Sequence, residues 1–270
     1  MRNILITIAA ALLAGCGGQV SAKPLNICLQ PSDRTEIMRN CDSTIQPLAS
    51  TGNVVDFVGR QMLHAGNVML WIGQGEWRNQ NFRAVIAEAQ RYPGKVTHVY
   101  VADEINLCNG VPCLGRDDAL VAEATVIANA AGFKTTATLT QSVIFAPGFK
   151  LPRVDVIGID PYFVTMTPNL DMGGCNLSSN IIANQYLCSV QKLRSLGYTG
   201  PMVYVGQGFG LTSDTHEFRT MYLQLQAEAY AQSGADAVMS WGCHLGAPEL
   251  AAEPNLVPLC GTQYEPWVTP

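Results

Sequence analysis

Short runs of β-branched and aromatic residues alternate along this chain with longer segments whose apolar residues recur at helical spacing. The run over residues 96–101 is typical of a strand covered on both faces, and two adjacent carboxylates, Asp103 and Glu104, follow it closely. The segment over residues 182–196 has helical spacing and stops at a glycine. The pattern therefore predicts strands and helices that follow one another along the chain.

Seven strands are clear in this pattern, and an eighth is uncertain because residues 30–51 fit either a short strand or a loop. Alternating strands and helices favour parallel βαβ units. A closed (β/α)8 barrel takes about 250 residues and fits this chain, whereas an open doubly wound sheet is the alternative. No glycine-rich nucleotide or phosphate loop is present, so no cofactor is expected. We predict a single α/β TIM barrel.

The N-terminus is typical of an export signal. A short positive start precedes an apolar run over residues 4–13 that is too short to cross a bilayer as a stable helix. The sequence Leu13-Ala14-Gly15-Cys16 then resembles the bacterial lipobox, in which the cysteine becomes the lipidated first residue of the mature protein. An ordinary secretory signal with a chance cysteine is the alternative.

The lipobox resemblance divides the chain into three parts. It implies a signal peptide over residues 1–15 and a lipidated tether over residues 16–23, which leaves residues 24–270 for the predicted barrel domain. Acyl chains on Cys16 would be the only attachment to the membrane. We therefore expect a lipid-anchored protein of the bacterial cell envelope that faces the periplasm or the cell surface.

Cysteine usage agrees with export. Without Cys16, eight of the nine cysteines remain, and an even set in an exported chain predicts disulfides. Sequence alone does not fix the pairing, but the cysteines fall into local couples. The predicted pairs are Cys28–Cys41, Cys108–Cys113, Cys175–Cys188 and Cys243–Cys260. No Cys-x-x-Cys or histidine cluster is present, so no metal is expected. The net charge of −5 also argues against nucleic acid as a partner.

The strand ends resemble those of the clan A glycoside hydrolases, which are retaining enzymes built on a (β/α)8 barrel. In that clan, strand four ends in Asn-Glu with the glutamate as acid/base, and here the pair is Asp103-Glu104. Strand seven carries the nucleophilic glutamate of the clan, and here Gln207 lies nearby. Strands six and eight often supply aromatic residues, as Tyr162 and Trp241 would. The resemblance implies a carbohydrate partner and Glu104 as general acid.

Gln207 leaves the second catalytic group open, because an amide cannot form the glycosyl-enzyme bond. One hypothesis is substrate-assisted hydrolysis, with Asp103 orienting the acetamido group of the substrate as in the hexosaminidases. A second is an inverting pair of Glu104 with Asp160 or Glu76, about 6.5–9.5 Å apart. A third is glycan binding without catalysis. The residues expected to bind substrate lie at or just beyond strand ends, and they are Trp71, Glu76, Asp160, Tyr162, Gln207 and Trp241.

A different class of function stays open beside these hypotheses. The chain would then be a scaffold or interaction lipoprotein that uses the barrel only as a support. A deep aromatic cleft at the strand ends would favour a sugar ligand, and a flat apolar patch elsewhere would favour a protein partner. The main prediction is a glycoside hydrolase-like lipoprotein that acts on a glycan through Glu104 and Asp103.

Overall fold

Eight parallel strands form a closed barrel in the computed structural model of this chain. The structure describes residues 26–29, 42–45, 68–72, 82–161, 171–207, 216–235 and 237–241. The strands are β1 (Asn26–Leu29), β2 (Asp42–Ile45), β3 (Val68–Trp71), β4 (Val96–Ala102), β5 (Lys134–Leu139), β6 (Val156–Ile159), β7 (Met202–Gln207) and β8 (Ala237–Trp241). Each pairs in parallel with its neighbours, and β1 closes the barrel by pairing with β8 and β2.

The predicted TIM barrel is therefore confirmed, and β2 is the strand that the sequence left uncertain. Five helices lie within the described residues: α1 (Phe82–Ala89), α2 (Asp118–Ala130), α3 (Gln141–Ile144), α4 (Ile181–Ser195) and α5 (His216–Ser233). The connection between β5 and β6 contains α3, which is a single turn rather than a full helix. In this described part, no helix has the length and apolar character needed to cross a membrane.

Alternation along β7 shows which residues face the barrel interior. Tyr204 points outward, because its ring lies 5.2 Å from the ring of Tyr186 on α4 and 5.8 Å from that of Tyr230 on α5. Its neighbour Val205 therefore points inward. A Cβ on Gly158 of β6 would lie 3.0 Å from a methyl carbon of Val205. The lack of a side chain at Gly158 therefore leaves room for Val205 to pack in the interior of the barrel.

Parallel strands bring all of their carboxyl ends to one rim of the barrel. At this rim, Trp71 of β3 is in register with Tyr100 of β4, and Trp241 of β8 is in register with Gln207 of β7. Strand β4 contains a register shift between Tyr100 and Ala102, where one extra residue is inserted relative to β5. Such a bulge bends a strand and redirects the residues that follow it.

Candidate active site

The β4 strand end holds its second carboxylate in an unusual backbone conformation. Glu104 has φ of +44°, which is uncommon for a residue with a side chain. Two hydrogen bonds to β5 support this turn: the Glu104 N–H donates to Thr138 Oγ1 at 2.8 Å, and the Ile105 N–H donates to the Thr138 carbonyl at 3.0 Å. Residues held in sparsely populated backbone regions cluster at functional sites. The outlier at Glu104 therefore supports a functional role for this turn.

The carboxylate of Asp103 is fixed by two hydroxyl groups. Tyr100 Oη donates to Asp103 Oδ1 at 2.6 Å, and Thr138 Oγ1 donates to the same oxygen at 2.8 Å. The two hydroxyl oxygens lie 2.8 Å from each other. Thr138 thus binds the side chain of Asp103 and the backbone of Glu104 at once. Neither Tyr100 nor Thr138 was identified by the sequence reasoning, because their contacts join strands that are far apart in the chain.

A third carboxyl group, that of Asp160, lies at the end of β6. The residue is 1% exposed, and its N–H donates to the carbonyl of Leu139 on β5 at 3.3 Å. Neither oxygen of the side chain has a hydrogen-bond partner among the described residues. Its position on the same rim brings it close enough to Glu104 and Asp103 for their charges to affect its pKa.

All three carboxyl groups hold their protons more tightly than free side chains do. Burial, together with the negative charge of Asp103, raises the pKa of Glu104 to about 7. Burial also raises the pKa of Asp103, although the hydrogen bonds from Tyr100 and Thr138 oppose this effect. The pKa of Asp160 is raised well above its ordinary value by burial and by the charges of Glu104 and Asp103. The pKa of Glu104 therefore lies near neutral pH, which suits a general acid.

The loop after β4, residues 103–117, is braced by contacts within itself just before α2 begins. Cys108 and Cys113 form a disulfide across a hairpin of two short strands. The N–H of Asn106 donates to Asp117 Oδ2 at 2.8 Å, and the Asp117 N–H donates to Asn106 Oδ1 at 2.8 Å. The buried carboxylate of Asp117 also pairs with Arg116 at 2.6 Å. These contacts brace the loop that begins with the two acids.

The loop after β6, described over residues 160–161 and 171–180, is attached differently. Cys175 forms a disulfide with Cys188 in the middle of α4. A pocket of about 420 Å3 lies beside this disulfide, lined in part by Phe145, Gln191 and Lys192. The described lining of the pocket includes none of the predicted catalytic or substrate-binding residues, because the pocket lies on the flank of α4 and not among the acids of the rim.

The structure thus brings together three of the predicted site residues, namely Asp103, Glu104 and Asp160. The backbones of Trp71, Gln207 and Trp241 end β3, β7 and β8 at the same rim, while their side chains lie outside the described part. Two of the predicted cysteine pairs, Cys108–Cys113 and Cys175–Cys188, form disulfides. The remaining predictions fall on residues outside what the structure describes, namely Cys16, Glu76, Tyr162 and the pairs Cys28–Cys41 and Cys243–Cys260.

The chemistry of the described site is that of carboxyl and hydroxyl groups. Within the described ranges, no three His, Cys, Asp or Glu side chains are arranged to hold a metal ion. A titrating acid, a fixed carboxylate and a buried carboxyl group on one rim can exchange a proton with a bound molecule and hydrogen-bond its polar groups.

Comparison with known proteins relates this barrel to carbohydrate-active enzymes by fold. No family model and no curated protein sequence matches the chain. A glycoside hydrolase family 5 enzyme from Prevotella bryantii, solved with a xyloglucan tetradecasaccharide, is similar with a TM-score of 0.55 at 10% identity over 87% of each chain. A GH5-4 broad-specificity endoglucanase from an uncultured bacterium is similar with a TM-score of 0.52 at 9% identity, over 87% of this chain and 85% of the enzyme. The chain has the TIM-barrel fold of these glycoside hydrolases.

Proposed function

We propose that this protein acts on a glycan and that Glu104 is the general acid that protonates the leaving glycosidic oxygen. The observation that carries this proposal is the position of a half-buried glutamate just after the carboxyl end of β4, where burial and the charge of Asp103 raise its pKa to about 7. A general acid works best when its pKa lies near the working pH. The structural neighbours that act on glycans use the same barrel, and active sites of TIM barrels lie at this rim.

Substrate-assisted hydrolysis fits the described neighbours of Glu104 better than double displacement or an inverting pair with Asp160. Gln207 is a neutral amide and cannot be the nucleophile of a double displacement. The raised pKa of Asp160 disfavours it as the base of an inverting pair. A substrate that carries its own acetamido nucleophile needs one oriented acidic group beside the general acid. Asp103 meets that need, because two hydroxyl groups fix its carboxylate next to Glu104.

Sugar contacts would come from the other strand ends. Trp71 and Trp241 end β3 and β8, where aromatic rings can stack on the apolar face of a sugar. Gln207 would hydrogen-bond sugar hydroxyl groups, and Glu76 and Tyr162 complete the proposed set. Substitution of either tryptophan by alanine is expected to weaken glycan binding without changing the pH dependence of turnover. An unchanged dissociation constant in both variants would remove them from the site.

The test of this function is hydrolysis of a panel of aryl glycosides and polysaccharides by the mature protein. The panel includes N-acetylhexosaminides, because the substrate-assisted mechanism requires the acetamido group. Glu104→Gln is the inactive variant, and Glu123→Gln is its matched control on the exposed surface of α2. Turnover that disappears in Glu104→Gln alone supports the proposal. Equal turnover in the wild type and Glu104→Gln would contradict it.

A glycan-binding barrel without hydrolysis is the second candidate, and Gln207 at the end of β7 favours it. In that case the wild type shows no turnover on any substrate, whereas glycan binding survives Glu104→Gln. Isothermal titration with the same oligosaccharides separates this outcome from the first. A protein that neither binds nor cleaves any glycan would instead be a scaffold or interaction protein.

Attachment to the cell envelope is a separate proposal that rests on the lipobox-like sequence. Cys16 would carry the acyl chains, and the barrel would face the periplasm or the cell surface. Cys16→Ser should move the protein from the membrane fraction to the soluble fraction and abolish labelling by a radioactive fatty acid. Membrane association that persists in Cys16→Ser would contradict a lipid anchor at this residue.

A further inference from the structure

Asp160 has a buried carboxyl group that no described residue of the protein satisfies. The residue is 1% exposed, and neither Oδ1 nor Oδ2 has a hydrogen-bond partner among the described residues. Buried polar groups in proteins are nearly always paired, since an unpaired one destabilises the folded state. Because Asp160 lies on the same rim as Glu104, a bound ligand could supply the missing hydrogen-bond partner.

Two acids on the same rim oppose a negative charge on Asp160. Glu104 and Asp103, which follow β4, raise its pKa through their own charges, and the charge of Asp160 in turn raises the pKa of Tyr100. Within the described part of the chain, no lysine, arginine or histidine contributes to the raised pKa of Asp160. Asp103, which is only partly buried, receives hydrogen bonds from Tyr100 and Thr138. Among the described residues, no side chain donates a hydrogen bond to Asp160.

We propose that Asp160 is protonated in the ligand-free protein and that its carboxyl group hydrogen-bonds an uncharged sugar hydroxyl of the bound glycan, rather than serving as a catalytic base. A protonated carboxyl group offers one donor and retains acceptor capacity. A sugar hydroxyl also donates one hydrogen bond and accepts others, so the two groups can satisfy each other. This inference rests on the proposed function for the identity of the ligand, but the protonation of Asp160 does not.

The protonation of Asp160 is tested without any glycan by comparing the wild type with Asp160→Asn. Folding raises the pKa of Asp160, so the stability of the wild type declines as pH rises above the unfolded value of about 4. The amide of asparagine has nearly the same shape and does not titrate. We expect the ratio of the two unfolding equilibrium constants to be constant below about pH 4 and to change by up to tenfold per pH unit above it. A ratio that does not depend on pH would overturn the proposal.

The glycan contact is tested with Asp160→Asn and Asp160→Leu on a substrate found in the panel. Asparagine keeps a neutral donor and acceptor, so its kcat/KM should stay within a few-fold of the wild type. The leucine side chain has no polar group. For Asp160→Leu we expect kcat/KM to fall at least tenfold through a higher KM, a loss that corresponds to about one hydrogen bond. If Asp160→Asn abolishes turnover as completely as Glu104→Gln does, then Asp160 is a catalytic base and the proposal is wrong. If no glycan binds to the wild type, the glycan contact fails with the proposed function, while the pH series still decides the protonation.

Discussion

The loops after β4 and β6 both begin with acids on the same rim, but these acids differ in the hydrogen bonds that they receive from the protein. After β4, Asp103 accepts hydrogen bonds from two hydroxyl groups, and the backbone at Glu104 is held in a left-handed turn. After β6, Asp160 is fully buried and unpaired within the described residues. Both loops carry a disulfide, but one closes the local hairpin 108–113 whereas the other attaches its loop to α4.

This difference shows how one rim can give similar acids separate tasks. An acid with internal donors is positioned before any ligand arrives, so its geometry belongs to the protein. An acid without donors depends on a ligand for its partner. Where neighbouring titratable groups occupy such different environments, their pKa values separate, and acid and base roles can be assigned from that separation. The pKa of Glu104, about 7, lies near neutral pH, which suits the role of the acid.

The largest expected effect is on turnover, in Glu104→Gln. Loss of a general acid lowers kcat by about 10²–10⁴-fold for a substrate whose leaving group needs a proton. A dinitrophenyl glycoside needs no proton on its leaving group, so its cleavage should be much less affected. The measurement is kcat for both substrates, with Glu123→Gln as the surface control. An equal loss on both substrates would assign Glu104 a role other than proton donation.

The two disulfides give the next largest effect, and here the loops should differ in what they lose. Their cysteines are 5 and 13 residues apart. The chain-entropy model then predicts a loss of unfolding free energy of about 2 kcal/mol for the Cys108–Cys113 pair and about 3 kcal/mol for the Cys175–Cys188 pair. Serine replacements and urea unfolding measure both values.

The loss of kcat should be larger for the Cys108–Cys113 double variant than for the Cys175–Cys188 double variant, which is the reverse of the order in stability. The Cys108–Cys113 disulfide braces the loop that begins with Asp103 and Glu104, so its removal should lower kcat. The Cys175–Cys188 disulfide lies on the flank of α4, and its removal should leave kcat unchanged under conditions where the protein is folded. A larger loss of kcat in the second variant would show that the β6 loop, and not the β4 loop, sets the geometry of the acid.

The barrel was predictable because strand and helix patterns are local. The β-branched run of β4 and the helical spacing of α4 each indicate their structure within one segment. The rim acids were predictable too, since strand ends carry the chemistry of such barrels. The hydroxyl groups that fix Asp103 were not, because Thr138 lies 35 residues away and contacts it only after β4 and β5 pair. Nor does the local pattern show that Asp160 is unpaired among the described residues, because pairing depends on the whole fold.

A smaller effect is expected for Thr138→Val, which removes the hydroxyl shared by the two acids. The Asp103 carboxylate loses one donor, and the Glu104 N–H loses its acceptor. We expect a loss of about 2 kcal/mol in unfolding free energy, together with reduced kcat. Thr136→Val is the matched control, because Thr136 is as buried on the same strand but the bonds to the acids come from Thr138. Equal effects in both variants would mean that the hydroxyl of Thr138 only contributes to packing.

The smallest expected effect is a shift in pH dependence, and it contrasts Asp103 with Asp160 directly. The protonated form of Glu104 is the active acid, so kcat/KM should fall as pH rises through its pKa of about 7. Burial is the larger cause of that raised pKa, and the charge of Asp103 is the second. Asp103→Asn removes this charge, so the pKa of Glu104 falls and the alkaline limb moves to lower pH. The pKa that this limb reports should stay above the ordinary pKa of glutamate, because Glu104 is still buried in the variant.

Asp160→Asn should leave the same limb in place. A protonated Asp160 carries no charge, so its replacement by a neutral amide does not change the electrostatic potential at Glu104. The pH profile of kcat/KM for the wild type and the two Asn variants is the measurement, and Asp171→Asn, an exposed acid of the β6 loop, is the control. If the alkaline limb of the kcat/KM profile moves in Asp160→Asn and not in Asp103→Asn, the roles assigned to the two aspartates are reversed. Asp160 would then carry the charge that keeps the proton on Glu104, and the hydrogen bonds to Asp103 would serve the loop rather than the reaction.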